Sequence, residues 1–92
     1  MNSTLAAAAH LTAALQDCGI DAFDAREGIV AVHIDDSATV TIICYEDDCV
    51  AVDVVYSDES GAVTNAEPLL TERATYRDAH KIASIIRAFA LI

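Results

Sequence analysis

An α+β fold is predicted by three features of the chain: apolar residues at helical spacing near both ends, β-branched runs of period two between them, and turn-prone clusters separating those runs. Its 92 residues suit a single acidic domain over 1–92, and a 54% hydrophobic composition provides for a core. A chain of this size buries roughly 60–70% of its unfolded surface. The expected architecture is an N-terminal helix, a three- or four-stranded antiparallel β-meander, and a C-terminal helix packed on the sheet.

The first helix begins where Ser3 or Thr4 can cap it, since a hydroxyl oxygen satisfies an orphan amide. Leu5, Ala8, Leu11, Leu15 and Cys18 then recur along one face, and Gly19 suits the left-handed residue that ends a helix, with Ile20 folding back on the last turn. Ile20 to Ala25 reads as a short strand or an extended link before the turn Arg26-Glu27-Gly28. Ile29 to Asp35, Ala38 to Tyr45 and Cys49 to Ser57 read as three antiparallel strands, separated by Asp35-Asp36-Ser37 and Glu46-Asp47-Asp48. Alternation turns Val30, Val32, Ile34, Val40, Ile42, Cys44, Val50, Val52, Val54 and Tyr56 toward the core. It leaves His33, Thr39, Thr41, Ile43, Tyr45, Ala51, Asp53 and Val55 on the second face. Ala62 to Asn65 reads as a short fourth strand, Pro68 interrupts any ladder beyond it, and regular structure resumes near Thr75. Thr75 with Asp78 resembles a capping box, and Tyr76, Ala79, Ile82, Ala83, Ile86 and Phe89 make an apolar stripe.

Charge is partitioned along the chain. Residues 1–72 hold fourteen acids against Arg26, a net of −13, whereas 73–92 hold Arg73, Arg77, Lys81 and Arg87 against Asp78, a net of +3. From Glu27 to Glu72 inclusive, eleven carboxylates occur without a Lys or Arg. A negative field repels nucleic acid and anionic membrane and attracts basic protein surfaces, over a Debye length of about 8–10 Å. Direct nucleic-acid binding is therefore not expected. No apolar run reaches the length of about eighteen residues that a bilayer demands, and no Lys or Arg precedes Leu5-Ala6-Ala7-Ala8-Ala9 as in a secretion signal. Three cysteines do not form a disulfide framework, so a soluble cytoplasmic protein with reduced thiols is expected.

Catalytic motifs are missing. His10, His33 and His80 accompany no nucleophile elbow, phosphate loop, zinc-protease helix or dinucleotide fingerprint, and no enzyme activity or cofactor is expected. Cys44 and Cys49 flank a hairpin tip where they could face each other, yet with His33 they fall short of a four-ligand zinc pattern. No metal is expected.

The acids at the turns stand out instead. Asp35, Asp36, Glu46, Asp47, Asp48, Asp58 and Glu59 punctuate the meander, and Asp53 lies within a strand. Alternating turns put these acids at two poles of the sheet, which Asp53, Glu67 and Glu72 are expected to join into a stripe. One reading is that carboxylates only keep an apolar protein soluble. The other is that they take the place of phosphates in a Lys/Arg groove, with Ile43 and Tyr45 as apolar anchors. In size and acidity the chain resembles phage-encoded inhibitors of bacterial defence, including anti-CRISPR and anti-restriction proteins, several of which act as DNA mimics. This resemblance of composition implies a non-enzymatic inhibitor that binds the basic nucleic-acid-binding surface of a larger protein or nucleoprotein complex. Two alternatives carry different partners: an immunity protein or chaperone capping a basic toxin or client, and a homodimer joined through the second sheet face with Phe89, Leu91 and Ile92.

Overall fold

Apolar periodicity decides which side of each element is covered. The computed structural model describes residues 3–90, which form α1 (Ser3–Asp17), β1 (Ala22–Arg26), β2 (Ile29–Asp35), β3 (Ala38–Cys44), β4 (Cys49–Ser57), β5 (Val63–Pro68), β6 (Ala74–Thr75) and α2 (Ala79–Ala90). Strands β1 to β5 pair in sequence order as an antiparallel meander, and β6 adds to the free half of β4. The result is a two-layer α+β sandwich. Ala7, Ala8, Leu11 and Leu15 of α1 and Ala79, Ile82, Ala83 and Ile86 of α2 share one core with Val30, Val32, Val40, Ile42, Cys44, Val50 and Val52 of the sheet. Both helices therefore cover the same face. Full burial of a Leu or Ile side chain contributes about 1.5–3 kcal/mol, so this single layer of contact dominates the cohesion of the fold.

Helix α1 already includes Ser3 and Thr4, and the capping position falls outside the described residues. Leu5 lies at the margin of the buried stripe and is exposed, while Ala7 is buried. At the other end the Gly19 amide donates to the Gln16 carbonyl at 3.0 Å and the Ile20 amide to the Leu15 carbonyl at 2.9 Å. With Gly19 at φ +85° and Ile20 buried, this is the Schellman closure that the sequence announces.

The sheet has more strands than the three or four expected. The link after Ile20 is strand β1, because Ala22, Phe23 and Asp24 find partners in Val32, Ala31 and Val30. The fourth meander strand expected at Ala62 to Asn65 runs from Val63 to Pro68, as β5. Pro68 does not interrupt this ladder. The Leu69 amide donates to the Val52 carbonyl at 2.8 Å, so the nitrogen of Pro68 points to the open edge, where no donor is needed.

Regular structure does resume at Thr75, but as a strand. Ala74 and Thr75 pair with Val50 and Cys49, and α2 begins only at Ala79. Asp78 Oδ2 accepts the Thr75 amide at 2.8 Å and the Thr75 hydroxyl at 3.3 Å, while the Asp78 carbonyl accepts the Ile82 amide at 3.0 Å. Asp78 is thus the residue from which the helix starts. The expected box closes the turn ahead of it because β6 holds Thr75 in an extended conformation.

Cys44 and Cys49 do not face each other. Cys44 pairs with Val50 and is buried on the helix-covered side, and Cys49 has the opposite parity in β4. Burial raises the Cys44 thiol above its ordinary value of 9.0, helped by the Asp24 carboxylate. All three cysteines are free.

Candidate partner-binding surface

At one end of the sheet the β2–β3 and β4–β5 turns lie side by side, tied by the Ser57 amide donating to the Ser37 carbonyl at 2.8 Å. Asp35, Asp36, Asp58 and Glu59 are exposed there. Two of these carboxylates are fixed by their own turns. Asp35 Oδ1 accepts the Ser37 amide at 2.8 Å and hydroxyl at 2.9 Å; Asp58 Oδ1 accepts the Ser60 hydroxyl at 2.5 Å, the Ser60 amide at 2.9 Å and the Ala62 amide at 3.1 Å. The backbone donor of Ser37 above all holds the Asp35 carboxyl below its ordinary 3.8, and the Ser60 hydroxyl does the same for Asp58. Among the described residues, none of the four acids lies in an ion pair with Lys or Arg. A cleft of about 260 Å³, lined by Ile34, Asp35, Ala38, Tyr56 and Phe89 among others, opens beside them.

The opposite pole differs. Glu46, Asp47 and Asp48 form the β3–β4 turn, where the Asp48 amide donates to the Tyr45 carbonyl at 3.1 Å and Asp48 takes φ +70°. Bases from the end of the chain return to this pole: Arg73 lies 3.9 Å from Asp47 and Arg77 3.9 Å from Asp48. Lys81 Nζ donates to Glu72 at 2.7 Å, which holds the Glu72 carboxyl down and the Lys81 ammonium up. Arg73 and Arg77 therefore screen Asp47 and Asp48 of the middle turn. These exposed pairs contribute little to stability, but they cancel field locally.

Among the described residues no helix lies on the second face of the sheet. One row crosses all five meander strands as Phe23, Ala31, Thr41, Asp53 and Pro68, flanked by Ile29, Ile43 and Ala51 on one side and His33, Thr39, Val55 and Ala66 on the other. Asp53 is half-buried at its centre, Ile43 is half-buried toward the middle turn, and Tyr45 beyond it is 49% exposed. The ten expected contact residues thus fall into three groups. Asp35, Asp36, Asp58 and Glu59 are together; Glu46, Asp47, Asp48, Tyr45 and Ile43 lie about 20 Å away along the strands; Asp53 stands between them. The stripe expected to join the poles does not form, since Glu67 pairs with Val54 on the helix-covered side and Glu72 is engaged by Lys81.

Sequence reasoning missed Phe23, which is 49% exposed on this open face, because the pairing with β2 that makes its segment a strand is not written in the segment itself. It also missed the return of Arg73 and Arg77, although the abrupt change of charge at residue 73 was the available signal. Among the described residues no three His, Cys, Asp or Glu side chains converge as a metal site, and no helix is long and apolar enough to cross a membrane. Fold and surface together define a small acidic two-layer α+β protein with one screened and one unscreened pole. No protein-family model matches the chain, and no match is found among curated proteins or solved structures.

Proposed function

We propose that the chain is a non-enzymatic acidic interaction module, an inhibitor that occupies a basic nucleic-acid-binding surface of a larger complex. The observation that carries this reading is the unscreened pole: four exposed carboxylates on two adjoining turns, two of them held by hydrogen bonds that keep them ionised. Ordered anions on a rigid support present a phosphate-like array to Lys and Arg at little entropic cost. The neighbouring cleft, with Tyr56 and Phe89 in its wall, gives the aliphatic stem of such a side chain an apolar seat.

The test is retention of bacterial lysate proteins on the immobilised chain, followed by elution with duplex DNA and with salt. Nucleic-acid-binding proteins are expected on the column, released by both. A variant carrying Asp36→Lys and Glu59→Lys, with Asp35→Asn and Asp58→Asn to preserve the turn acceptors, is expected to lose them. The corresponding reversal of Glu46, Asp47 and Asp48 has the smaller effect. Unchanged retention by the first variant sinks the reading.

A second reading is favoured by the open sheet face. Phe23, Ile29, Ile43 and Val55 give it an apolar share that suits an isologous homodimer. Phe89 does not belong to that surface, since it packs against the helix-covered core, and Leu91 and Ile92 lie outside the described residues. Light scattering distinguishes a dimer from a monomer, and Phe23→Lys should dissociate the former.

A further inference from the structure

The three thiols occupy three settings. Cys44 is buried and its thiol form is favoured. Cys49 Sγ accepts a hydrogen bond from Arg73 Nε at 3.2 Å on the open face of the sheet. Cys18, half-buried where α1 ends, has its Sγ 3.7 Å from Nδ1 of His80, the second residue of α2. This pair lies in a cavity of about 290 Å³ whose wall also holds His10, Asp17 and Arg77.

A thiol exchanges through its thiolate, so it needs a group to take its proton and room for the incoming sulfur. Arg73 beside Cys49 favours the thiolate by its charge but, being already protonated, takes no proton from the thiol. His80 Nδ1 is an acceptor when the ring carries its proton on Nε2, and the cavity provides the room. The charged and titratable groups around Cys18 are His10 and Asp17 from α1, Arg77 from the turn before α2, and His80 and Arg87 from α2, the last donating to the Cys18 carbonyl. The first turn of α2 adds its positive end. In a chain of net charge −10, Arg77, whose guanidinium also reaches Asp48, and Arg87 stand beside Asp17 here, so a carboxylate-bearing reagent meets cationic groups next to the thiol.

The geometry points to Cys18 as a site of thiol–disulfide exchange with anionic low-molecular-weight disulfides, His80 serving as its proton acceptor. His80 takes the Sγ proton, the thiolate attacks one sulfur of the disulfide, and the new S–S bond forms as the old one breaks. The departing thiolate recovers the proton. Cys18 is oxidised, and the released half of the disulfide is reduced.

The full chain, incubated with glutathione disulfide near pH 7, is sampled over time and its adducts located by peptide mass mapping. Cys18 is expected to carry the first adduct, at an initial rate about tenfold above that of Cys49 or Cys44. His80→Gln should slow Cys18 by a similar factor of about ten while leaving the rate at Cys49 unchanged, which also shows that the fold persists. Arg77→Gln should slow glutathione disulfide more than the uncharged hydroxyethyl disulfide. First reaction at Cys49, an unchanged Cys18 rate in His80→Gln, or an equal effect of Arg77→Gln on both reagents overturns the assignment.

Discussion

Single residues set the backbone at two places where side chains are costly. Gly19 adopts φ +85° in the closure of α1, with open space where a Cβ would point. Gly19→Ala therefore tests strain alone, and a loss of about 1 kcal/mol in urea unfolding is expected. Asp48 holds φ +70° without being glycine. Asp48→Gly should be tolerated, whereas Asp48→Val, β-branched at the same φ, should lose about 1–2 kcal/mol. The turn carboxylates make the acid limit predictable. Asp35 and Asp58 have folded values below 3.8, so the stabilisation they provide is present above that pH and disappears as pH falls through the lowered values. Amide NMR signals of Ser37, Ser60 and Ala62 should accordingly shift below pH 3.8. The Lys81–Glu72 pair is bounded on both sides: its contribution is complete between 4.5 and 10.5, fades at low pH as Glu72 protonates through its lowered value, and fades at high pH as Lys81 deprotonates through its raised one.

Elements were legible to the degree that their own side chains decide them. Strands β2 and β4 begin and end where alternation and turn residues place them, and Gly19 with Ile20 gives the end of α1. Three others depend on partners far along the chain. β1 exists because β2 offers it an edge, β5 outlasts its apolar content because β4 continues beside it, and β6 occupies the half of β4 that β5 leaves free. Local periodicity has no access to such pairing. The helical core is simpler. Leu11 and Ile82 are both fully buried from different helices over one sheet face, and Leu11→Ala or Ile82→Ala should each lose about 2–5 kcal/mol by chemical denaturation.

Across the whole molecule, the candidate surface was readable as a list of acids but not as an arrangement. Topology separates the poles, as alternating turns require, yet net charge by segment treats Arg73 and Arg77 as a distant block. In the fold they return to Asp47 and Asp48. Association through the unscreened pole should weaken steeply with salt, and its on-rate should fall more than its off-rate rises.

Strand β5 has one more implication. Every residue from Val63 to Pro68 is exposed, with Val63 at 66%, so no side chain of this strand is sealed in the core. Its amides are expected to exchange with deuterium well before those of β3, although both are hydrogen-bonded. On that expectation β5 is the margin of the sheet that opens first, uncovering one flank of β4 while the helices keep their grip on the rest.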